Sequence, residues 1–164
     1  MADSAFDSHT SKIVAPRFQA TNTIPLLDPT MPLVRIDLRR GKPITHAHAI
    51  GAAVHRALVE VFTVPVRDHF QIITEHEPDH LIADPHYLDI DRSNDVVLIQ
   101  VFLSAGRSTE LKQAFYAHIA AQVRQNPGLR PEDLVISLVE NNRPDWSFGN
   151  GEAQYVVRPK EEWK

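Results

Sequence analysis

The chain has no cysteine among its 164 residues, which excludes disulfides, thiolate metal sites and cysteine nucleophiles. Glycine is scarce, six in all and dispersed, so no glycine-rich loop is available to cradle a phosphate. No apolar run approaches the ~20 residues a membrane helix needs. Positive charge is not in excess either: 17 Lys plus Arg against 21 Asp plus Glu leave a formal net charge of −4. A nucleic-acid binder would normally present a basic face, and that class is set aside. What is present, 43% hydrophobic and 23% charged residues, suffices for one domain with a real core. The expectation is a cytoplasmic protein with neither membrane nor nucleic acid as a partner.

Residues 1–31 read differently from the rest. They hold seven Ser or Thr, three Pro and no Gly. Asp3 and Asp7 stand early, and Ile13, Val14, Ile24, Leu26 and Leu27 are scattered, which is not the pattern of a secretory signal. This stretch is expected to be a flexible arm, or to lie ahead of a natural start at Met31. A domain over 32–157 and a tail over 158–164 complete the division.

From Met31 onward the chain repeats itself. Pro32 to Leu38 is rich in strand formers and ends at Arg39-Arg40-Gly41-Lys42. Thr45 is expected to cap a helix in which Ile50, Val54, Leu58, Val61 and Phe62 recur at helical spacing, stopped by Val64-Pro65. A second strand is expected over Phe70–Thr74. The same plan returns 65 residues later: a strand over Val96–Leu103, a cap at Ser108, a helix carrying Leu111, Phe115, Ile119 and Val123, and a strand over Leu134–Val139. Gly41 corresponds to Gly106, Lys42 to Arg107, Asp68 to Asp133 and Glu75 to Glu140. One constant offset over so many landmarks argues for a tandem βαβ repeat. The fold class is therefore α/β (α+β), a four-stranded sheet with both helices on one face. The strand at Val96–Leu103 is apolar at nearly every position, as strands buried on both faces are. The helix-free face is accordingly expected to be apolar and covered by further copies of the chain.

Several motifs bear on chemistry. His76-Glu77-Pro78-Asp79-His80 matches H-E-x-x-H, but that zinc site needs a helix. Pro78 and the preceding strand argue for a polar loop instead, and no metal or other cofactor is expected. His46 and His48, two apart, would point away from each other on a helix. Gly41-Lys42 and Gly106-Arg107-Ser108 each place a cation where a strand gives way to a helix, a setting that attracts carboxylates. Pro144 to Glu152 sets Trp146 and Phe148 beside two glycines; the rings could fold over a ligand or simply cap the core.

Pro32-Leu-Val-Arg-Ile-Asp-Leu after a methionine, Val64-Pro-Val-Arg-Asp-His-Phe-Gln71, Ala105-Gly-Arg-Ser108 and Asp145-Trp-Ser-Phe-Gly-Asn-Gly151 together resemble the tautomerase superfamily, in its malonate semialdehyde decarboxylase-like branch. The resemblance spans about Met31 to Tyr155. It implies a homotrimer of tandem βαβ chains and an amino-terminal proline acting as the base in a cleft. On this resemblance Pro32 is the base, Arg107 holds a small carboxylate substrate, Asp68 orients or activates water, and Trp146 and Phe148 form a hydrophobic wall. A free terminal amine titrates at about 7.7–8.0, and burial or nearby cations lower it, so a neutral amine at pH 7 can take a proton next to a carbonyl.

Two features depart from the pattern. Pro32 is internal as the sequence is written, and an amide nitrogen is no base. Ala105 stands where the decarboxylase branch carries a second arginine. The leading expectation is a tautomerase-type isomerase acting on a small 2-oxo or enol carboxylic acid. The alternatives are a decarboxylase or hydratase working through Asp68, and a non-catalytic trimeric binding module if Pro32 stays internal. Arg107→Ala is expected to leave the fold intact, because the residue sits in a loop.

Overall fold

The computed structural model describes residues 32–159. The arm at 1–31 and the end of the tail lie outside the described residues. Strand β1 (Leu33–Arg39) leads into helix α1 (Ile44–Glu60) and strand β2 (Phe70–His76). Strand β3 (Val97–Ser104), helix α2 (Thr109–Gln125) and strand β4 (Leu134–Asn141) repeat that order, and a short helix α3 (Gln154–Val157) follows. The sheet order is β2-β1-β3-β4. β1–β2 and β3–β4 are parallel, whereas β1 and β3 run antiparallel in the middle. The tandem βαβ repeat is therefore present, with its two units joined back to back through their first strands.

Alternation decides which face is packed. Val34, Ile36 and Leu38 of β1 and Val97, Ile99, Val101 and Leu103 of β3 are buried with Ile50, Val54, Leu58, Phe115, Ile119 and Val123 of the two helices in one core. Phe62 and Phe115 stack where the helices meet, ring centroids 4.3 Å apart. Burying such side chains contributes roughly 1.5–3 kcal/mol each. The equivalent glycines take nearly the same left-handed backbone, φ +116 at Gly41 and +117 at Gly106. Side chains other than glycine rarely adopt that conformation, so the turn after each unit's first strand is made the same way.

The helix-free face is not uniformly apolar, contrary to expectation. The register places Leu33, Phe70 and Phe102 together at one end, but Arg35, Gln100, Asp37 and Ser137 across the middle. β3 alternates after all: Gln100 is exposed and Leu98 and Phe102 are half-buried, while their neighbours are buried. The run of apolar letters concealed a single polar position on which the pattern turns.

Helix boundaries shift for local reasons. α1 starts at Ile44 with Pro43, not Thr45, in the capping position. The Pro43 carbonyl accepts from His46 N–H at 2.8 Å, and proline's fixed φ suits a helix entry. The helix ends at Glu60; Thr63 has φ 56, and Val64 N–H closes back on the Leu58 carbonyl at 3.0 Å. Ser108 caps α2 as expected, its hydroxyl accepting from Leu111 N–H at 3.3 Å. The H-E-x-x-H match is not helical: His76 ends β2 and bonds Asp37 at 2.7 Å, and Glu77 pairs with Arg40.

Candidate active site

Strand polarity collects four chain segments at one end of the sheet. β1 and β2 begin there, β3 and β4 end there, and Leu33 pairs with both Phe70 and Phe102. Pro32, the residue before β1, is buried. It lines a cavity of about 240 Å³ with Leu33, Phe70, Trp146, Ser147 and Phe148.

The aromatic wall is held by its own hydrogen bonds. Trp146 and Phe148 stack with centroids 5.5 Å apart, and Tyr155 meets Phe148 edge-on at 5.0 Å. Trp146 Nε1–H donates to Asn141 Oδ1 at 2.6 Å, which ties the wall to the last residue of β4. Gln154 accepts from Phe148 N–H at 2.9 Å and donates to the Gly149 carbonyl at 2.6 Å. Asp145 accepts from Asn142 N–H at 2.7 Å. These hydrogen bonds hold the segment after β4 in the shape that presents the Trp146 and Phe148 rings to the cavity.

Asp68 and Arg107 lie at the same end of the sheet, in the approach to β2 and just past β3, but do not line this cavity. Asp68 is 9% exposed, and its Oδ1 has no hydrogen-bond partner among the described residues. Burial raises its carboxyl from 3.8 to about 7. Arg107 is buried, not a solvated loop cation. Its Nη1 donates to the Ser104 carbonyl at 2.8 Å, and its guanidinium lies 4.5 Å from the centre of the Phe62 ring. Burial lowers its proton affinity and Glu140 opposes the change. An exposed loop position, the ground for expecting an intact fold in Arg107→Ala, is corrected by this packing: the side chain is buried against Phe62 and bonds the Ser104 carbonyl.

The repeat-related positions differ in an informative way. Lys42, the counterpart of Arg107, is bonded to Asp95 at 2.8 Å at the opposite end of the sheet. There it lines a larger cleft of about 550 Å³ with Arg39, Arg40, His46 and Asp79. Asp133, the counterpart of Asp68, is fully buried and accepts from Ser93 N–H at 2.6 Å and Ser93 Oγ–H at 2.8 Å. One buried aspartate is satisfied and its twin is left with an open oxygen. Sequence reasoning missed Leu33, Phe70 and Tyr155 as parts of the site; only the pairing of Leu33 with Phe70 could have signalled the first two. Among the described residues no group of three or more potential ligands could hold a metal ion, and no helix is long and apolar enough to cross a membrane.

Fold and cavity together define a tandem βαβ protein with a buried strand-initial proline facing an aromatic wall. Two family models, both described as tautomerase enzymes, match residues 32–90 and 68–149. The chain is 37% identical over 126 residues to the probable tautomerase YusQ of Bacillus subtilis, covering 77% of this chain and 99% of the relative. The probable tautomerase YrdN of the same organism is 38% identical over 127 residues, with 77% and 98% covered. Among solved structures, a malonate semialdehyde decarboxylase inhibited by 3-bromopropiolate is 46% identical with a TM-score of 0.72, covering 76% of this chain and 94% of that one. The chain belongs to the tautomerase family. A fused 4-OT symmetric trimer at 23% identity and TM-score 0.63 shares the fold.

Proposed function

We propose that the protein is a tautomerase-type isomerase that moves a proton on a small 2-oxo or enol carboxylic acid, with the Pro32 nitrogen as the base. The observation that carries this reading is the burial of Pro32 at the head of a central strand, in a cavity walled by Trp146 and Phe148. The reading requires the bond between Met31 and Pro32 to be open. The secondary amine then has a lone pair, and its charged form is disfavoured by burial. A neutral amine removes a proton from the carbon beside the substrate carbonyl and returns it at the other end of the enol. Arg107 supplies a permanently charged fork for the carboxylate, once it turns from the Ser104 carbonyl to the substrate. The apolar wall keeps water from the intermediate enol.

A second reaction is favoured by one specific observation. The Asp68 carboxyl, buried and poised at about 7, can orient or activate water, which suits a hydratase or decarboxylase acting on a three-carbon oxo acid. The 46% identity to a malonate semialdehyde decarboxylase supports it, and Ala105 in place of a second arginine counts against decarboxylation. The functional unit in this reading is a homotrimer, which would cover the open sheet face.

Ketonisation of phenylenolpyruvate tests the main reading. Protein expressed from Met31, with the methionine removed, is expected to turn over, and protein retaining residues 1–31 is expected to stay near background. Equal rates from both, with Pro32→Ala indistinguishable from either, would remove the proline from the mechanism.

A further inference from the structure

The two repeat-related aspartates are held by different devices, and the difference identifies a role for two histidines. Asp133 is gripped through its carboxylate by Ser93. Asp68 is not; its turn is held through the backbone instead. His55, on α1, reaches the Val66 carbonyl with Nε2 at 3.0 Å. A carbonyl only accepts, so that nitrogen carries the proton and His55 donates. The same ring stacks on His69, centroids 4.1 Å apart and planes 18° from parallel. Val66 and His69 flank Asp68 on either side in the chain. The turn is closed by Asp68 N–H donating to the Pro65 carbonyl at 2.9 Å. At the equivalent places the second unit has Ala120, Pro131 and Leu134, which can make neither contact.

We infer that His55 and His69 are positioning residues, a clamp from α1 that fixes the turn carrying Asp68 while leaving its buried carboxyl oxygen without a protein partner among the described residues. This rests on the reading of Asp68 as the group that orients water. A grip of the Ser93 kind would consume the oxygen the chemistry needs, whereas a backbone clamp spares it. His55 Nδ1 is buried with no hydrogen-bond partner among the described residues, so the ring works in its neutral form. Burial first, and then the neighbouring His69, make its protonation harder. The Val66 carbonyl acts in the opposite direction.

The test is the titration of the Asp68 carboxyl, followed by carbon-13 NMR, in the folded wild type and in His55→Phe, His55→Gln and His69→Ala. His55→Phe keeps a ring for stacking and loses the donor, His55→Gln keeps a donor, and His69→Ala alters only an exposed side chain. In His55→Phe and His69→Ala the Asp68 midpoint is expected to fall by at least one pH unit toward that of an ordinary carboxylate, as the loosened turn admits water, with His55→Gln nearer the wild type. For hydration of a small unsaturated carboxylic acid, His55→Phe is expected to lower kcat about tenfold with KM within twofold, and to add nothing further in an Asp68→Asn background. Unmoved Asp68 midpoints in the folded variants would overturn the clamp, as would a full His55→Phe defect persisting without Asp68. The titration decides this even where no turnover is found, so failure of the clamp and failure of the proposed activity stay distinguishable.

Discussion

At the scale of single residues, the site combines groups whose burial is costly to the fold. Asp68 has a folded pKa of about 7 against an ordinary 3.8, so the folded state favours its neutral form. The resulting penalty is absent below about pH 4, grows as pH rises, and is complete above 7. It amounts to at most about 4 kcal/mol. Asp68→Asn is therefore expected to raise the Tm at pH 8 and to change it little at pH 4; equal effects at both would contradict the burial argument. Arg107→Ala is expected to raise KM for carboxylate substrates ten- to a hundredfold, equivalent to ~1.5–3 kcal/mol. It should also lower the Tm, because the side chain packs on Phe62 and bonds the Ser104 carbonyl. Steady-state kinetics with thermal melting checks both, and an unchanged KM would contradict the carboxylate role. The candidate roles of Pro32, Asp68, Arg107, Trp146 and Phe148 came to view through family resemblance. The burial of Arg107 could not, since Phe62 lies 45 residues earlier and only the turn of the chain after α1 brings it near.

At the scale of elements, short-range chemistry explains what was legible. Ser108 caps α2 because its side chain and its place before the helix suffice for one bond. Ser108→Ala is expected to cost about 1 kcal/mol, read as a lower urea midpoint with an unchanged slope. Thr45 had the right chemistry but lost its place to Pro43, whose backbone enters the helix two residues sooner. The 65-residue offset exposed the repeat, and the matched turns at Gly41 and Gly106 bear it out. The partner of Asp133 was illegible, because Ser93 belongs to a loop 40 residues away. Asp133→Ala removes the buried carboxylate that accepts from the half-buried Ser93 N–H and Oγ–H and is expected to cost about 2–3 kcal/mol. A urea midpoint equal to wild type would show that this bond does not anchor the loop before β3.

At the scale of the whole molecule, each unit's helix covers one sheet face, and among the described residues no helix covers the other face along β2, β1, β3 and β4. Phe70, Ile72 and Val135 are substantially exposed there, beside a polar centre that a second copy can satisfy by hydrogen bonds. Light scattering at micromolar concentration is expected to give three chains, and a monomer would contradict the covered-face account. The central claim is that the Pro32 nitrogen is the base, and its own titration tests this most directly. In nitrogen-15 proline-labelled protein beginning at Pro32, that nitrogen should titrate below the ordinary range of a terminal amine, its midpoint matching the rise of the ketonisation rate with pH. A nitrogen that titrates elsewhere while turnover keeps its own midpoint, or turnover with the Pro32 nitrogen still an amide, would contradict the account.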